Sequence, residues 1–364
     1  MNGKELKATF KYAGAFIAWV IGSGFATGQE ILQFFGSYGY LSFAAVAVNL
    51  AGFLIIGRIM MTRGYEHREE AHFDHYTYYC GKWMGKLYAV LIPVTLLLVC
   101  AVLISAGGAT LEQYYGVNRY LGSGIMAALV LAAYLLGFEK LVDLVSPIGP
   151  VIIAFSIFVG VFTLVRDLGN FSEIGNYTAA LSQFHAAPHW SISAVLYLSL
   201  NFLCGSTYYT ALGASADSYK SVKWGAILGA LALVATIAVM NLAIILNAGE
   251  LEALSVPTLY LASKISGVVG TVFSVVLVLG IFTSSTTTVW SFCSGFFKSN
   301  PKKNRLFSVF AVAACTALGF VPFGRLMAVA YPAIGYVGLY FIACVIVKGA
   351  KKTQRTTNGG IHKR

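Results

Sequence analysis

The sequence predicts an all-α integral membrane protein of ten transmembrane helices, arranged as two inverted halves of five. Three observations lead there: the composition, the length and spacing of the apolar stretches, and features that recur at a common offset. Of the 364 residues 58% are apolar and only 11% charged, and the mean hydropathy is +0.75. Soluble domains carry about 25% charged residues. So little polar surface excludes a water-facing globule, and with it a soluble enzyme, a DNA-binding module and a disordered chain. The net charge is +11, but the basic residues are scattered between apolar runs. That is the pattern of lipid topology, so no nucleic-acid partner is expected.

A helix needs about 20 mostly apolar residues to cross the hydrocarbon core. Ten stretches qualify: spans 1 to 10 at approximately 12–35, 38–58, 87–111, 120–138, 142–165, 190–213, 224–248, 265–296, 306–324 and 326–347. Backbone groups in lipid must be satisfied internally, so these are helices. The alternating ten-residue segments of a barrel are absent from the sequence. With the N-terminus in the cytoplasm, 21 of the 25 Lys and Arg residues fall on cytoplasmic segments, and only Arg119, Arg166, Lys264 and Arg325 fall outside. This split favours an even number of spans with both termini, including the basic tail 350–364, on the cytoplasmic side of the plasma membrane. No small-residue cleavage site follows the first apolar run, so that run is expected to remain as span 1. The six cysteines fall in spans or in the first cytoplasmic connection, and no disulfide is expected.

Several features recur roughly 180–185 residues apart. Gly22-Ser23-Gly24 in span 1 matches Cys204-Gly205-Ser206 in span 6. Pro147-Ile148-Gly149 in span 5 matches Pro332-Ala333-Ile334-Gly335 in span 10. A polar stretch precedes the third span of each half, at Glu66–Lys86 and Glu250–Lys264. A five-span repeat must enter the membrane from opposite sides in its two copies. The chain is therefore expected to be one transporter-like domain, 1–364, with inverted repeats at approximately 8–166 and 190–349.

Polar atoms inside the spans mark the candidate site. Span 1 holds three glycines within seven residues, Gly22, Gly24 and Gly28, each costing a helix about 1 kcal/mol relative to Ala. A helix broken in lipid is tolerable only beside a cavity or ligand. Gln29 and Glu30 follow directly, and Glu30 is the one formal charge well inside span 1. An ionisable residue there is a functional candidate: a proton carrier, a partner for a cationic group, or a gate. Span 6 carries Ser199, Asn201 and Phe202 just before its own glycine, and span 8 has six consecutive hydroxyl residues, Thr283 to Thr288. Such hydroxyls either bond back to their own helix or, with freed carbonyls, suit a hard cation such as Na⁺. Asn49 and Asn241 are expected to bridge helices. His67, His72, His75 and Cys80 lie among aromatic and mixed-charge residues, which suggests an interfacial helix rather than a metal site. There is no Walker sequence, nucleophile elbow or zinc signature, so no enzymatic activity and no cofactor are expected.

The run Gly22-Ser23-Gly24-Phe25-Ala26-Thr27-Gly28-Gln29-Glu30, together with ten spans, resembles the YkvI-like amino-acid permease family. That family belongs to the amino acid–polyamine–cation superfamily, whose members share the LeuT-type fold of five plus five inverted spans with helices 1 and 6 broken. The resemblance covers essentially the whole chain. It implies a Na⁺ site between spans 1 and 8, with carbonyls of Ala18, Ile21 and Gly280 and hydroxyls of Thr283 and Ser284; Ser284 and Ser285 form the alternative register. Some proton-coupled relatives place a span-5 lysine there, and span 5 has none in its interior. The resemblance also implies a substrate carboxylate on the backbone N–H groups of Gly22, Ser23 and Gly24, with the amine near Ser199, Asn201 and Phe202. Span 3 departs from some relatives, since Ile104-Ser105-Ala106-Gly107-Gly108 offers no aromatic to cover the site.

These readings converge on secondary active transport of an amino acid or similar small zwitterion, driven by Na⁺, in which spans 1, 2, 6 and 7 tilt against the rest. Two other functions fit the same residues: proton-coupled transport of another small solute through Glu30, and a ligand sensor that keeps the fold without flux. The expected partners are a small-molecule substrate and the lipid bilayer, with the oligomeric state open.

Overall fold

The computed structural model describes residues 3–21, 23–70, 73–136, 148–251, 254–293 and 301–359. Among them every regular element is a helix. A helix lies in each of the ten apolar stretches. Among the described residues six are long and apolar enough to cross a membrane by themselves: Gly36–Glu66, His75–Tyr115, Val151–Asn176, Tyr219–Ile245, Gly267–Cys293 and Phe323–Ala350. Arg119–Leu135 and Trp190–Cys204 are shorter apolar helices. The Val145-Ser146-Pro147 portion of the span-5 repeat feature lies outside the described residues.

Two packed groups organise the molecule. The first helix of span 1, Gly3–Val20, runs along span 7, and the end of span 2, Arg58–Glu66, runs along the second helix of span 6, Ser206–Ala214. Span 3 packs on spans 4, 8 and 9. Span 10 bridges the groups, lying along both the first helix of span 6 and span 3. Buried amides tie the first group together. Asn49 Nδ2 donates to Ala45 O (3.0 Å) and Ala194 O (3.1 Å), and Asn241 Nδ2 donates to Ser42 Oγ (2.8 Å). These bonds satisfy the buried Nδ2 donors and favour one helix rotation, because another rotation leaves the donors unpaired as well.

The two ends of the helix bundle differ. At one end Ser221 Oγ donates to Glu5 O (3.3 Å), Tyr12 OH to Ser215 O (3.1 Å) and the Lys348 ammonium to Tyr78 O. This end carries Lys4, Lys7, Arg63, Arg68, Lys220 and Lys348, and is called the basic face below. The polar stretch here forms a short helix from His75, capped by Asp74 accepting from Thr77 N (3.1 Å); Gly81, at φ 81°, then turns the chain into span 3. At the opposite end the connection after span 7 folds inward. Gln113 clamps Val256 through two hydrogen bonds of 2.9 Å each, so that Pro257 can start the helix Pro257–Ile265 close to span 1.

Candidate functional site

Span 1 is broken as its glycines require. The helix Gly3–Val20 ends with Ile21 N bonded to Ile17 O (2.9 Å), a four-residue helix Ser23–Ala26 follows, and a third helix runs Gln29–Phe34. Gly22 lies outside the described residues. Gly28 adopts φ 80°, the left-handed region, and a Cβ there would fall 3.2 Å from Thr258 N and 3.3 Å from Pro257 Cβ. The carbonyls freed by the break are recovered from the folded-in connection. Thr258 N donates to Thr27 O (3.2 Å) and Thr258 Oγ1 donates to Ala26 O.

Span 6 is interrupted at one residue only. Trp190–Cys204 and Ser206–Ala214 meet at Gly205, which keeps ordinary dihedrals (φ −85°, ψ 0°). The absent side chain admits the indole of Trp19, which occupies the space a Cβ would take. Trp19 then stacks on Tyr208 with ring centroids 5.1 Å apart, and Tyr208 OH donates to Ala15 O (2.8 Å). The two interrupted helices thus touch at their breaks.

A cavity of about 190 Å³ lies where they touch. Ala18, Trp19, Val20, Gly24 and Glu30 line it from span 1, and Leu200, Asn201 and Cys204 from span 6. Span 8 contributes Ser284, Thr287 and Thr288, span 3 Val99 and Leu103, and span 10 Tyr331. Glu30 folds back over the break, so that its carboxylate fills the space beside Gly24 that a side chain would need. Tyr197 OH approaches Glu30 Oε2 at 3.5 Å, a long hydrogen bond.

The cavity opens toward the basic face. Ala18 and Thr287 are both exposed and both line it, and Gly14 and Ser291 continue the exposed stripes one turn further in that direction. Toward the opposite face the described residues that follow the break are buried, among them Phe25, Ala26, Thr27, Gln29 and Gln33. Gln33 Nε2 donates to Gly324 O (3.0 Å), joining span 1 to the start of the helix Phe323–Ala350 across that end, and Ala186 N donates to Gln33 O (3.2 Å).

Of the residues singled out in the sequence, Gly24, Glu30, Asn201, Ala18 and Ser284 line this cavity, and Asn201 is held by Nδ2 donating to Tyr197 O (2.9 Å). Ser23 belongs to the short helix beside it. Ser199 and Phe202 do not line the cavity. The Ser199 hydroxyl donates to Val195 O (2.9 Å) and its backbone lies against Gly338 of span 10, while Phe202 packs on Phe53 and Tyr209 (5.1 and 5.5 Å). Leu200 and Asn201 face the cavity together, and at about 100° per residue Ser199 and Phe202, on either side of that pair, turn toward other helices. Ile21 and Gly280 are buried; Gly280 gives span 8 close approach to Ile152 of span 5. Five of the six consecutive hydroxyls bond back to span 8: Thr283 to Gly280 O (2.8 Å), Ser285 to Ile281 O (2.7 Å), Thr286 to Phe282 O (2.7 Å), Thr287 to Thr283 O (3.0 Å) and Thr288 to Ser284 O (2.7 Å). Ser284 makes no such bond among the described residues and faces the cavity.

Trp19 and Tyr331 went unnoticed as site residues. Trp19 lies in the last turn of helix before the break, and Tyr331 directly precedes Pro332 of the repeated Pro–Gly feature.

No protein-family model matches the chain. It is 28% identical over 361 residues to the membrane protein YkvI of Bacillus subtilis (strain 168), covering 96% of this chain and 98% of that protein. It is 22% identical over 343 residues to YyaD of the same organism, covering 94% and 97%. The chain is thus similar to YkvI over nearly its whole length, and it has the LeuT-type fold. Solved structures carry the fold comparison. MhsT in complex with L-phenylalanine superimposes with a TM-score of 0.55 at 11% identity, over 94% of this chain and 95% of MhsT. The manganese transporter of Eremococcus coleocola does so with 0.55 at 14% identity, over 93% of this chain and 78% of that one. Identity this low carries the architecture and no more.

Proposed function

We propose that this YkvI-like protein is a secondary transporter that moves an amino acid or similar small zwitterion across the plasma membrane by alternating access, coupled to Na⁺. One observation carries the reading: two interrupted helices enclose a cavity that is sealed at one face of the bundle and open at the other. A site reached from a single face at a time is the geometric requirement of alternating access. The positive-inside rule puts the basic face in the cytoplasm, so the described conformation is inward-facing. MhsT, whose structure contains L-phenylalanine, and the manganese transporter share the fold and support a transport role.

In this reading the substrate carboxylate meets backbone N–H groups at Gly22, Ser23 and Gly24, and Asn201 is the span-6 side chain that meets the substrate. Ser199 and Phe202 hold span 6 in register. The sodium ligands are carbonyls of Ala18, Ile21 and Gly280 with hydroxyls of Thr283 and Ser284. Thr283 Oγ1 and Gly280 O already lie 2.8 Å apart, and Ala18 and Ser284 line one cavity. A cation there draws the first helix of span 1 toward span 8 and so narrows the opening at the basic face. Sodium then favours the outward-facing state, and its release inside frees the substrate.

Uptake into proteoliposomes with and without an inward sodium gradient tests this. Amino-acid uptake that rises with the gradient is expected. Equal uptake with sodium and with potassium would remove the coupling, and no uptake of any amino acid would remove the substrate class. Proton coupling through Glu30 is the second reading, because Glu30 is the one charged lining residue among those described. It requires that Glu30→Gln abolish pH-driven uptake and leave counterflow exchange intact.

A further inference from the structure

The charge balance of the cavity is one-sided. Its lining from spans 3, 6, 8 and 10 is apolar, hydroxyl, thiol or amide, and span 1 adds one carboxylate. No Lys, Arg or His is among the described lining residues. Glu30 is 7% exposed. Its carboxylate is set between the Gly24 backbone, the Tyr197 hydroxyl and the neighbourhood of the Tyr331 hydroxyl, all neutral groups. A carboxylate taken out of water is costly without an opposite charge. A cargo that brings only a carboxylate supplies no charge against which this acid can ionise, whereas a cargo that brings an ammonium supplies the missing one. Trp19 and Tyr331 add aromatic surface, which also favours a cation.

We propose, resting on the transport reading above, that the cationic amine is the feature of the cargo that this site recognises, held by Glu30, and that the cargo's own carboxylate is dispensable. The site therefore accepts small primary amines and amino acids of neutral or positive charge, and rejects carboxylates that lack an amine. Gly24 belongs to this recognition because any side chain there occupies the place of the carboxylate. Glu30 then has a role distinct from proton coupling: it contacts the cargo.

The test uses the purified full chain in detergent and three matched series built on alanine, leucine and phenylalanine. Each series contains the amino acid, the amine left by removing the carboxylate, and the acid left by removing the amine; the leucine series is leucine, isopentylamine and isocaproate. Ligand-induced shifts in melting temperature and titrated tryptophan fluorescence report binding. In at least one series the amino acid and the amine are expected to bind while the acid does not. Glu30→Gln is expected to weaken both by roughly thirtyfold or more, the usual scale for removing one partner of a buried charge pair. Glu30→Asp is expected to recover part of that loss, and the unliganded melting temperature of each variant checks its folding. Binding of an acid as tight as its amine, unchanged amine affinity in Glu30→Gln, or no binding by any amine-bearing member of the three series would overturn the proposal. The two readings fail separately. Vesicle uptake of an amine-free solute removes the role of Glu30 and leaves transport standing, whereas amine binding without flux does the reverse.

Discussion

The breaks in spans 1 and 6 occupy matching places in the sequence and are built in different ways. Span 1 is opened over several residues, with a left-handed glycine at Gly28 and a four-residue helix between two ends. Its loose carbonyls are capped from outside by Thr258. Span 6 loses one residue of helix at Gly205, with ordinary dihedrals and nothing inserted. Its glycine is there for space, since Trp19 fills the position of the missing side chain. One break is thus a backbone conformation that needs a partner, and the other is a notch that receives a side chain. In a moving part the first resists change until its cap is displaced, whereas the second tolerates it.

Substitutions separate the two kinds of break, and the largest effect belongs to span 1. Gly28→Ala forces an L-residue into φ 80° and a methyl onto Thr258, for about 2 kcal/mol or more. A markedly lower melting temperature is expected; an unchanged one would mean that the span-1 break is as tolerant as the notch in span 6. Thr258→Val leaves the Ala26 carbonyl without its donor, for about 1–3 kcal/mol. Because Thr258 caps from the face that is closed, the cost falls on the closed state. A cysteine at position 33 should therefore label faster from that side in Thr258→Val than in the parent chain.

At the notch the effects are smaller. Gly205→Ala keeps allowed dihedrals and improves helix propensity by about 1 kcal/mol, against displacement of the Trp19 indole and a methyl 2.7 Å from Asn201 O. A melting temperature lowered less than in Gly28→Ala, with shifted tryptophan emission, is expected; a loss as large as in Gly28→Ala would erase the distinction between the two breaks. Tyr208→Phe removes the hydrogen bond to Ala15 O and should cost about 1 kcal/mol while keeping the ring stack.

The smallest effect sits on the closed face, where Lys264 Nζ lies 2.6 Å from Glu250 Oε2. The hydrogen bond from Lys264 holds the Glu250 carboxyl below its ordinary value of 4.5. A depressed folded value means that the pair stabilises fully above 4.5 and that this contribution fades as the pH falls through the folded value. Both side chains are substantially exposed, so about 0.5 kcal/mol or less is involved. Glu250→Gln should lower the melting temperature above about pH 5 by that small, constant amount and converge with the parent chain at acid pH, where the pair no longer contributes.

The contrast between the breaks also marks what was legible in advance. The span-1 break was readable because three close glycines are unfavourable in any helix, whatever surrounds them. The helical stretches were readable for a similar reason: backbone in lipid has few alternatives to a helix. The run of six hydroxyls suggested more cation-binding oxygen than the structure offers, because five of them satisfy themselves on their own helix. Ser199 and Phe202 were grouped with Asn201 because they are neighbours in sequence. Rotation about the span-6 axis is decided by Gly338 behind Ser199 and by Phe53 and Tyr209 around Phe202, and these lie far away along the chain.

The residues by themselves determined the helical class, the position of the apolar stretches, the weak point in span 1 and the lone acid next to it. Each depends on local chemistry: apolar length, glycine content, and the cost of a charge in lipid. Only the tertiary structure decided which side chains share a cavity, that the acid folds back over Gly24, that Trp19 fills the notch at Gly205, and which end of the bundle is closed. Those outcomes depend on the rotation and tilt of helices against partners dozens or hundreds of residues distant. Side-chain volume and buried hydrogen bonds set that rotation, and no local pattern records it.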